Sequence, residues 1–169
     1  IHMVVLFLGL TAITIFFFQQ GVNRMLKRNA YTDITGIMNK HACIEQMSIL
    51  DCRDSTLNIG LAMFDLNNLK KVNDFYGHDE GDKLIQQFVT LLRQSANKKS
   101  FLGRFGGDEF IVIMQNCDVE TMEAFLIRIQ TAVENNNKFA SIKLSYAQGY
   151  AISTREHYFL VDELLQEAD

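Results

Sequence analysis

The sequence predicts an α/β (α+β) domain, a sheet flanked by helices, preceded by an N-terminal hydrophobic helix. Three observations carry that reading. Helical-period segments alternate with short apolar runs, a Gly-Gly turn joins two of those runs, and the chain opens on an oily stretch. Ile1 to Phe18 contains only His2, Thr11 and Thr14 as polar interruptions. As a helix it would span about 27 Å, just under a ~30 Å hydrocarbon core, so residues 1–18 are expected to be the C-terminal part of a transmembrane helix. The stretch lacks the basic start and small-residue cleavage site of a signal peptide, and it is apolar all round. Arg24, Lys27 and Arg28 follow, which by the positive-inside tendency puts the rest of the chain in the cytoplasm, at the inner (cytoplasmic) membrane. Residues 19–31 read as a juxtamembrane linker helix, with a stripe of Val22, Met25 and Leu26 too brief for a coiled coil.

The domain proper is expected over residues 32–169. Met38 to Leu50 reads as a helix, and Leu57 to Phe64 as a buried strand. Gly81 to Ala96 follows as a helix with Leu84, Ile85, Phe88, Leu91 and Leu92 on one face. Phe101-Leu102 and Phe110 to Met114 are strands joined through Gly106-Gly107, whose glycines would supply the positive φ of a two-residue hairpin turn. Val119 to Val133 repeats the helical period through Met122, Phe125, Leu126, Ile129 and Val133. A strand over 142–152 and a helix from Val161 complete the series. These stripes are core rather than cofactor boxes.

Composition narrows the function. The chain has 169 residues, no proline and a net charge of −4, which fits one soluble domain and argues against nucleic acid as a partner. Cys43, Cys52 and Cys117 are odd in number and lack metal-type pairing, so neither a disulfide framework nor a zinc site is expected. His41, His78 and His157 show no ligand spacing either.

Two acidic clusters carry the chemistry. Asp65 ends the first core strand, and Asp108-Glu109 follow the glycines of the run Arg104 to Phe110. Alone, each could be a solvated turn. Together, acids at the ends of two core strands can converge on a cation pair, and two divalent ions about 3.5–4 Å apart are a recurrent device for phosphate-ester chemistry. Magnesium suits such oxygen donors. An EF-hand beginning at Asp65 is rejected because Leu69 and Lys70 stand where a ligand and the turn glycine belong. A P-loop at Gly77 to Lys83 is rejected because the Gly-Lys-Ser/Thr ending is missing. Asn73 and Asp82 offer the donor and acceptor pattern that matches a guanine edge, although local capping is the alternative for both, with Asp82 as N-cap of a helix starting near Lys83.

These residues resemble a GGDEF domain, the diguanylate cyclase family of bacteria. The match runs through Ile34 to Lys40, Phe64 to Asp74 with Gly77-His78 and Gly81-Asp82, Arg104 to Phe110, and Glu163 to Leu165 with Ala168-Asp169. The two central segments are highly specific. The resemblance implies a palm-like ferredoxin-type sheet, as in nucleotide cyclases, and condensation of two GTP into cyclic di-GMP and pyrophosphate across a homodimer. By that resemblance Asp65 and Asp108 are metal carboxylates, the Leu66 carbonyl adds a ligand, and Glu109 lies beside them. Asn73 and Asp82 would bind guanine, and Lys70 would meet the phosphates. Gly106 and Gly107 would let substrate approach the backbone, and Arg104 would support the turn. The implied cofactor is Mg2+, two per GTP, with Mn2+ as an alternative.

Departures from the family pattern shape the expectations. Asn67 stands where relatives often carry a second acid, leaving either an oxygen ligand or a hydrogen-bonding group. The leading Asp of the Thr-Gly segment falls on Thr32, with Asp33 displaced by one, a change expected to touch coupling rather than chemistry. Asn97 and Ser100 occupy the positions of a common Arg-x-x-Asp inhibitory site, so product inhibition is not expected there. Relatives continue past the position of Asp169 with further basic residues, so this domain is expected to be C-terminally truncated and the fragment weakly active or inactive. The competing functions are a catalytically silent GTP-binding regulatory module and a cyclase that also accepts ATP. The intact signature disfavours the first, and Asp82 the second.

Overall fold

The structure, a computed structural model, describes residues 13–20, 32–33, 35–51, 58–154, 163, 166 and 168. Its elements run α1 (Lys40–Asp51), β1 (Ile59–Leu66), α2 (Leu69–Tyr76), α3 (His78–Ser95), β2 (Phe101–Arg104), β3 (Glu109–Gln115), α4 (Val119–Asn137) and β4 (Tyr146–Ser153). The four strands form one sheet in the order β2-β3-β1-β4, with every neighbouring pair antiparallel. This is the expected helix-flanked α/β sheet, with the long connections between β1 and β2 and between β3 and β4 made by helices.

Alternation along the two central strands divides the core. Ala62, Phe64 and Leu66 of β1, with Phe110, Val112 and Met114 of β3, pack against α3 and α4 through Phe88, Leu92, Phe125 and Ile129. The intervening residues Leu61, Ile111 and Ile113 pack with Cys43, Met47 and Leu50 of α1 and with Ala168. Phe88 meets Phe64 and Phe110 edge-on, with ring centroids 5.9 and 5.2 Å away. Those rings fix the strand ends that lead directly into Asp65 and Glu109. At the start of α4, the Asp118 carboxylate accepts a bond from the Thr121 amide at 2.8 Å, an N-cap.

Several boundaries differ from the sequence reading. Strand β1 runs on through Leu66, so Asp65 lies inside the ladder rather than after it. Helix α3 begins at His78, because Gly77 with φ 90° makes the break after α2. Asp82 is therefore inside the helix and not its N-cap. Four residues separate β2 from β3, and the glycines with positive φ among those described are Gly36 and Gly77, so Gly106 and Gly107 are not a two-residue turn with positive φ.

The expected transmembrane segment lies mostly outside the described residues. Residues 13–20 are helical with exposed Phe16, Phe17 and Phe18. Among the described residues no helix is long and apolar enough to cross a membrane. Of the expected linker, 21–31 lie outside the described residues. So do most positions of the helix expected from Val161, of which 163, 166 and 168 are described as helical.

Candidate active site

The acidic residues of β1 and β3 sit on one rung. Asp65 is the register partner of Glu109 on one side and of Ala147 on the other. One residue further along, the Leu66 amide donates to the Asp108 carbonyl at 2.9 Å. The backbones of Asp65, Leu66, Asp108 and Glu109 are thus joined at one sheet end. Since Phe64 and Phe110 point into the helical layer, alternation turns Asp65 and Glu109 to the opposite face. There Asp65 lines a small pocket of about 90 Å³ with Met63, Ala147, Gln148, Gly149 and Ala168.

The turn that carries Asp108 is held from three directions. Its ends close through the Phe105 and Gly106 amides, which donate to the Glu109 carbonyl at 2.8 and 3.3 Å. Arg104 Nε and Nη2 donate to the Gly107 carbonyl at 3.2 and 2.6 Å, as expected of a residue supporting the turn. Its Nη1 lies 3.5 Å from Asp33 Oδ2, with both side chains largely buried. Asp33 is fixed in turn by bonds from the Thr35 amide at 2.8 Å and from the Thr35 hydroxyl. Asp33 therefore reaches the signature turn, a role that the sequence reading did not give it. A Cβ at Gly106 would overlap the Glu109 carboxylate, whereas one at Gly107 would meet nothing within 4 Å. The first glycine is needed for internal packing; the second leaves the backbone open to a ligand.

The two residues expected to bind guanine lie on consecutive helices, α2 and α3. Asn73 lies on α2, and its carboxamide packs against Gly81 on α3, where any Cβ would overlap its Oδ1. Asp82 is the next residue and is exposed. The Gly77 amide donates to the Asn73 carbonyl at 3.0 Å, which locks the joint between the two helices. Lys70 is exposed in the first turn of α2, just past Asn68, whose left-handed φ of 63° turns the chain from β1 into that helix. Asn67 is occupied: its amide donates to the Ser145 carbonyl at 2.9 Å and its Nδ2 to the Ser145 hydroxyl at 3.1 Å. It serves as a hydrogen-bonding group.

The donor set decides which ion the site could hold. Among the described residues no group of three or more His, Cys, Asp or Glu side chains is arranged to hold a metal. What the β1–β3 end joins through its backbone is Asp65, Leu66 and Asp108, which offer two carboxylates and a main-chain carbonyl, all hard oxygen donors. Magnesium fits that poverty of protein ligands, because it keeps several waters and takes one or two carboxylates beside substrate phosphates. The thiols stand apart from this chemistry. Cys43 and Cys117 are buried and free, and burial pushes both up to about 11.

Comparison with known proteins gives a consistent result. A family model described as "Diguanylate cyclase, GGDEF domain" matches residues 30–169. The "Probable diguanylate cyclase DgcT" of Escherichia coli K12 is 30% identical over 157 residues, covering 86% of this chain and 35% of its own length. The "Cyclic di-GMP phosphodiesterase PdeR" of the same organism is 32% identical, covering 89% of this chain and 23% of its own length. The chain thus spans about a third or less of these two relatives. Among solved structures, the coiled coil and GGDEF domain of DgcB from Caulobacter crescentus, in complex with c-di-GMP, superposes with a TM-score of 0.81. It is 20% identical and covers 96% of this chain and 88% of that one, a likeness of fold.

Proposed function

This chain belongs to the GGDEF domain family of diguanylate cyclases, and from that premise we propose that it condenses two GTP into cyclic di-GMP and pyrophosphate. The observation that carries the reading is the backbone joining of Asp65, Leu66 and Asp108 at one sheet end, with Asn73 packed across the α2–α3 joint on Gly81, the residue before Asp82. Each domain then presents one nucleotide, and the bond forms between two domains in a homodimer. Holding both nucleotides in register supplies much of the rate, since orientation converts a bimolecular attack into an effectively unimolecular one.

Asp65 and Asp108 would hold Mg2+, with the Leu66 carbonyl as a further ligand and Mn2+ as an alternative ion. An ion held there would supply charge neutralisation of the phosphates and a lowered pKa for the attacking 3′-hydroxyl. The protein's own groups do the rest. Asn73 donates to and accepts from the guanine edge, while Asp82 accepts from its N1 and N2 donors. Lys70 places its ammonium toward the phosphates, and Gly107 lets them lie against the turn. Arg104 keeps the Gly107 carbonyl turned inward, so that the turn stays in one shape with Glu109 beside it. Residues 1–18 anchor the domain in the cytoplasmic membrane, with residues 19–31 as linker and 32–169 as the cytoplasmic domain.

The test is to give GTP and Mg2+ to the domain continued past Asp169 with the basic residues that relatives carry there, and to measure cyclic di-GMP. Product is expected, and Asp108→Ala is expected to abolish it while leaving the circular dichroism spectrum unchanged. The kinship with PdeR favours one rival, a silent GTP-binding module serving another enzymatic domain. Micromolar GTP binding with no product, even from two copies fused in tandem, would establish that rival and overturn the cyclase reading.

A further inference from the structure

The segment between Leu66 and Lys70 carries the turn from the metal ligands to the phosphate-facing lysine, and it is held by residues remote from both. Asn137, the last residue of α4, brackets Leu144: its Nδ2 donates to the Leu144 carbonyl at 2.7 Å, and its Oδ1 accepts from the Leu144 amide at 2.8 Å. The side-chain amide thereby meets both backbone groups of Leu144, as a neighbouring strand would. That fixes Ser145, which accepts from the Asn67 amide at 2.9 Å and from Asn67 Nδ2 at 3.1 Å. Asn67 is one peptide from Leu66, whose amide holds Asp108, and one from Asn68, whose carbonyl accepts from Val72 to start α2.

We propose that Asn137, Ser145 and Asn67 form a strap that positions the β1–α2 loop for nucleotide binding. The proposal rests on the cyclase site read above and adds three positioning residues to it. None of the three touches substrate; each acts through the loop. A strap of directional bonds suits this place, because Asn68 holds a left-handed φ that costs free energy and persists only where the surroundings fix it.

The experiment measures the affinity of the full chain for a fluorescent GTP analogue in Mg2+, alongside thermal midpoint and cyclic di-GMP output. Ser145→Ala is expected to weaken binding about 3- to 10-fold, the loss of one hydrogen bond. Ser145→Thr restores the hydroxyl and should restore the affinity. The double variant Asn67→Ala/Ser145→Ala should bind no more weakly than the worse single, because both remove the same contact. Asn137→Ala should weaken binding further, and the exposed Ser145 keeps the test informative if that variant fails to fold. Unchanged affinity in Ser145→Ala, or losses that multiply in the double variant, would overturn the strap. If the unaltered chain binds the analogue yet makes no cyclic di-GMP, the affinities alone judge the strap. No binding by the unaltered chain overturns both.

Discussion

The Arg104 guanidinium joins Asp33, 71 positions away in sequence, to the signature turn, lying 3.5 Å from the Asp33 carboxylate and 2.6 Å from the Gly107 carbonyl. One planar cation thus sets both the entry of the domain and the shape of the turn that carries Asp108. Hydrogen bonds to a charged group contribute about 1.5–3 kcal/mol. Arg104→Ala is therefore expected to lower cyclic di-GMP output about 10-fold or more and to lower the thermal midpoint by a few degrees. Lysine keeps the charge but not the fork, so Arg104→Lys should not restore output. Asp33→Asn should cost less than either, as it retains an acceptor. Wild-type turnover in Arg104→Ala would show that the turn holds its shape unaided.

Gly81 against Asn73 gives a test in which stability and function part ways. In a helix interior alanine is favoured over glycine by about 0.5–1 kcal/mol, so Gly81→Ala should hold or raise the thermal midpoint. The new methyl overlaps Asn73 Oδ1, the far end of a side chain that can swing away. Swinging removes the carboxamide from its place on Gly81, next in sequence to Asp82. The expected result is GTP affinity reduced about 10-fold, one bidentate interaction's worth, in a domain no less stable. Calorimetry and nucleotide titration on the same sample decide it, and unaltered affinity would remove Asn73 from the guanine site.

How much of this was legible in the sequence depended on the range of the interaction. Periodicity located the four strands and helices α1, α3 and α4, because apolar spacing reports burial directly: Phe88, Phe125 and Ile129 lie where their stripes put them. It missed α2, whose eight residues bury only Leu69 and Val72 and so show too little of a helical stripe. Boundaries failed where a single backbone angle or a remote bond decided them. The helical capping signal at Asp82 competed with acids at Asp79 and Glu80, which occupy the first turn of α3, and Gly77 settled the start through its φ. The last core strand begins at Tyr146 rather than Ile142 because Asn137 binds Leu144 in place of a strand. Both site clusters were visible as motifs. The Asp33 and Ser145 contacts were not, since nothing local in either residue marks a partner more than 70 positions away.

The two glycines of the signature turn should respond differently to the same change. At Gly106 a methyl overlaps the Glu109 carboxylate and presses on its Cβ at 3.2 Å, so Gly106→Ala displaces the Glu109 side chain from the turn and is expected to lower the thermal midpoint slightly. At Gly107 the added atom meets no protein atom within 4 Å, and stability should be untouched. Output of cyclic di-GMP should fall in both, in Gly107→Ala because the methyl occupies the approach of the phosphates. Full activity in Gly107→Ala would mean that substrate does not lie against that backbone.

Cys43 and Cys117 predict a loss of stability at alkaline pH. Burial, more than the neighbouring Asp33 and Asp118 charges, raises each thiol from 9.0 to about 11. An unfolded chain releases these protons at a lower pH than the folded one, so the contribution is whole below pH 9.0 and is lost as pH climbs toward about 11. Thermal midpoints followed from pH 8 to 10.5 should therefore fall, and Cys43→Ala/Cys117→Ala should flatten the curve relative to its own value at pH 8. In a Cys52→Ser background, both thiols should react with a disulfide reagent at pH 8 only as fast as the domain opens, since the thiolate is the attacking species and the native fold holds it protonated. Fast labelling under native conditions would place these sulfurs at the surface and undo the packing of Cys43 beneath Gly103 and of Cys117 against Gly60.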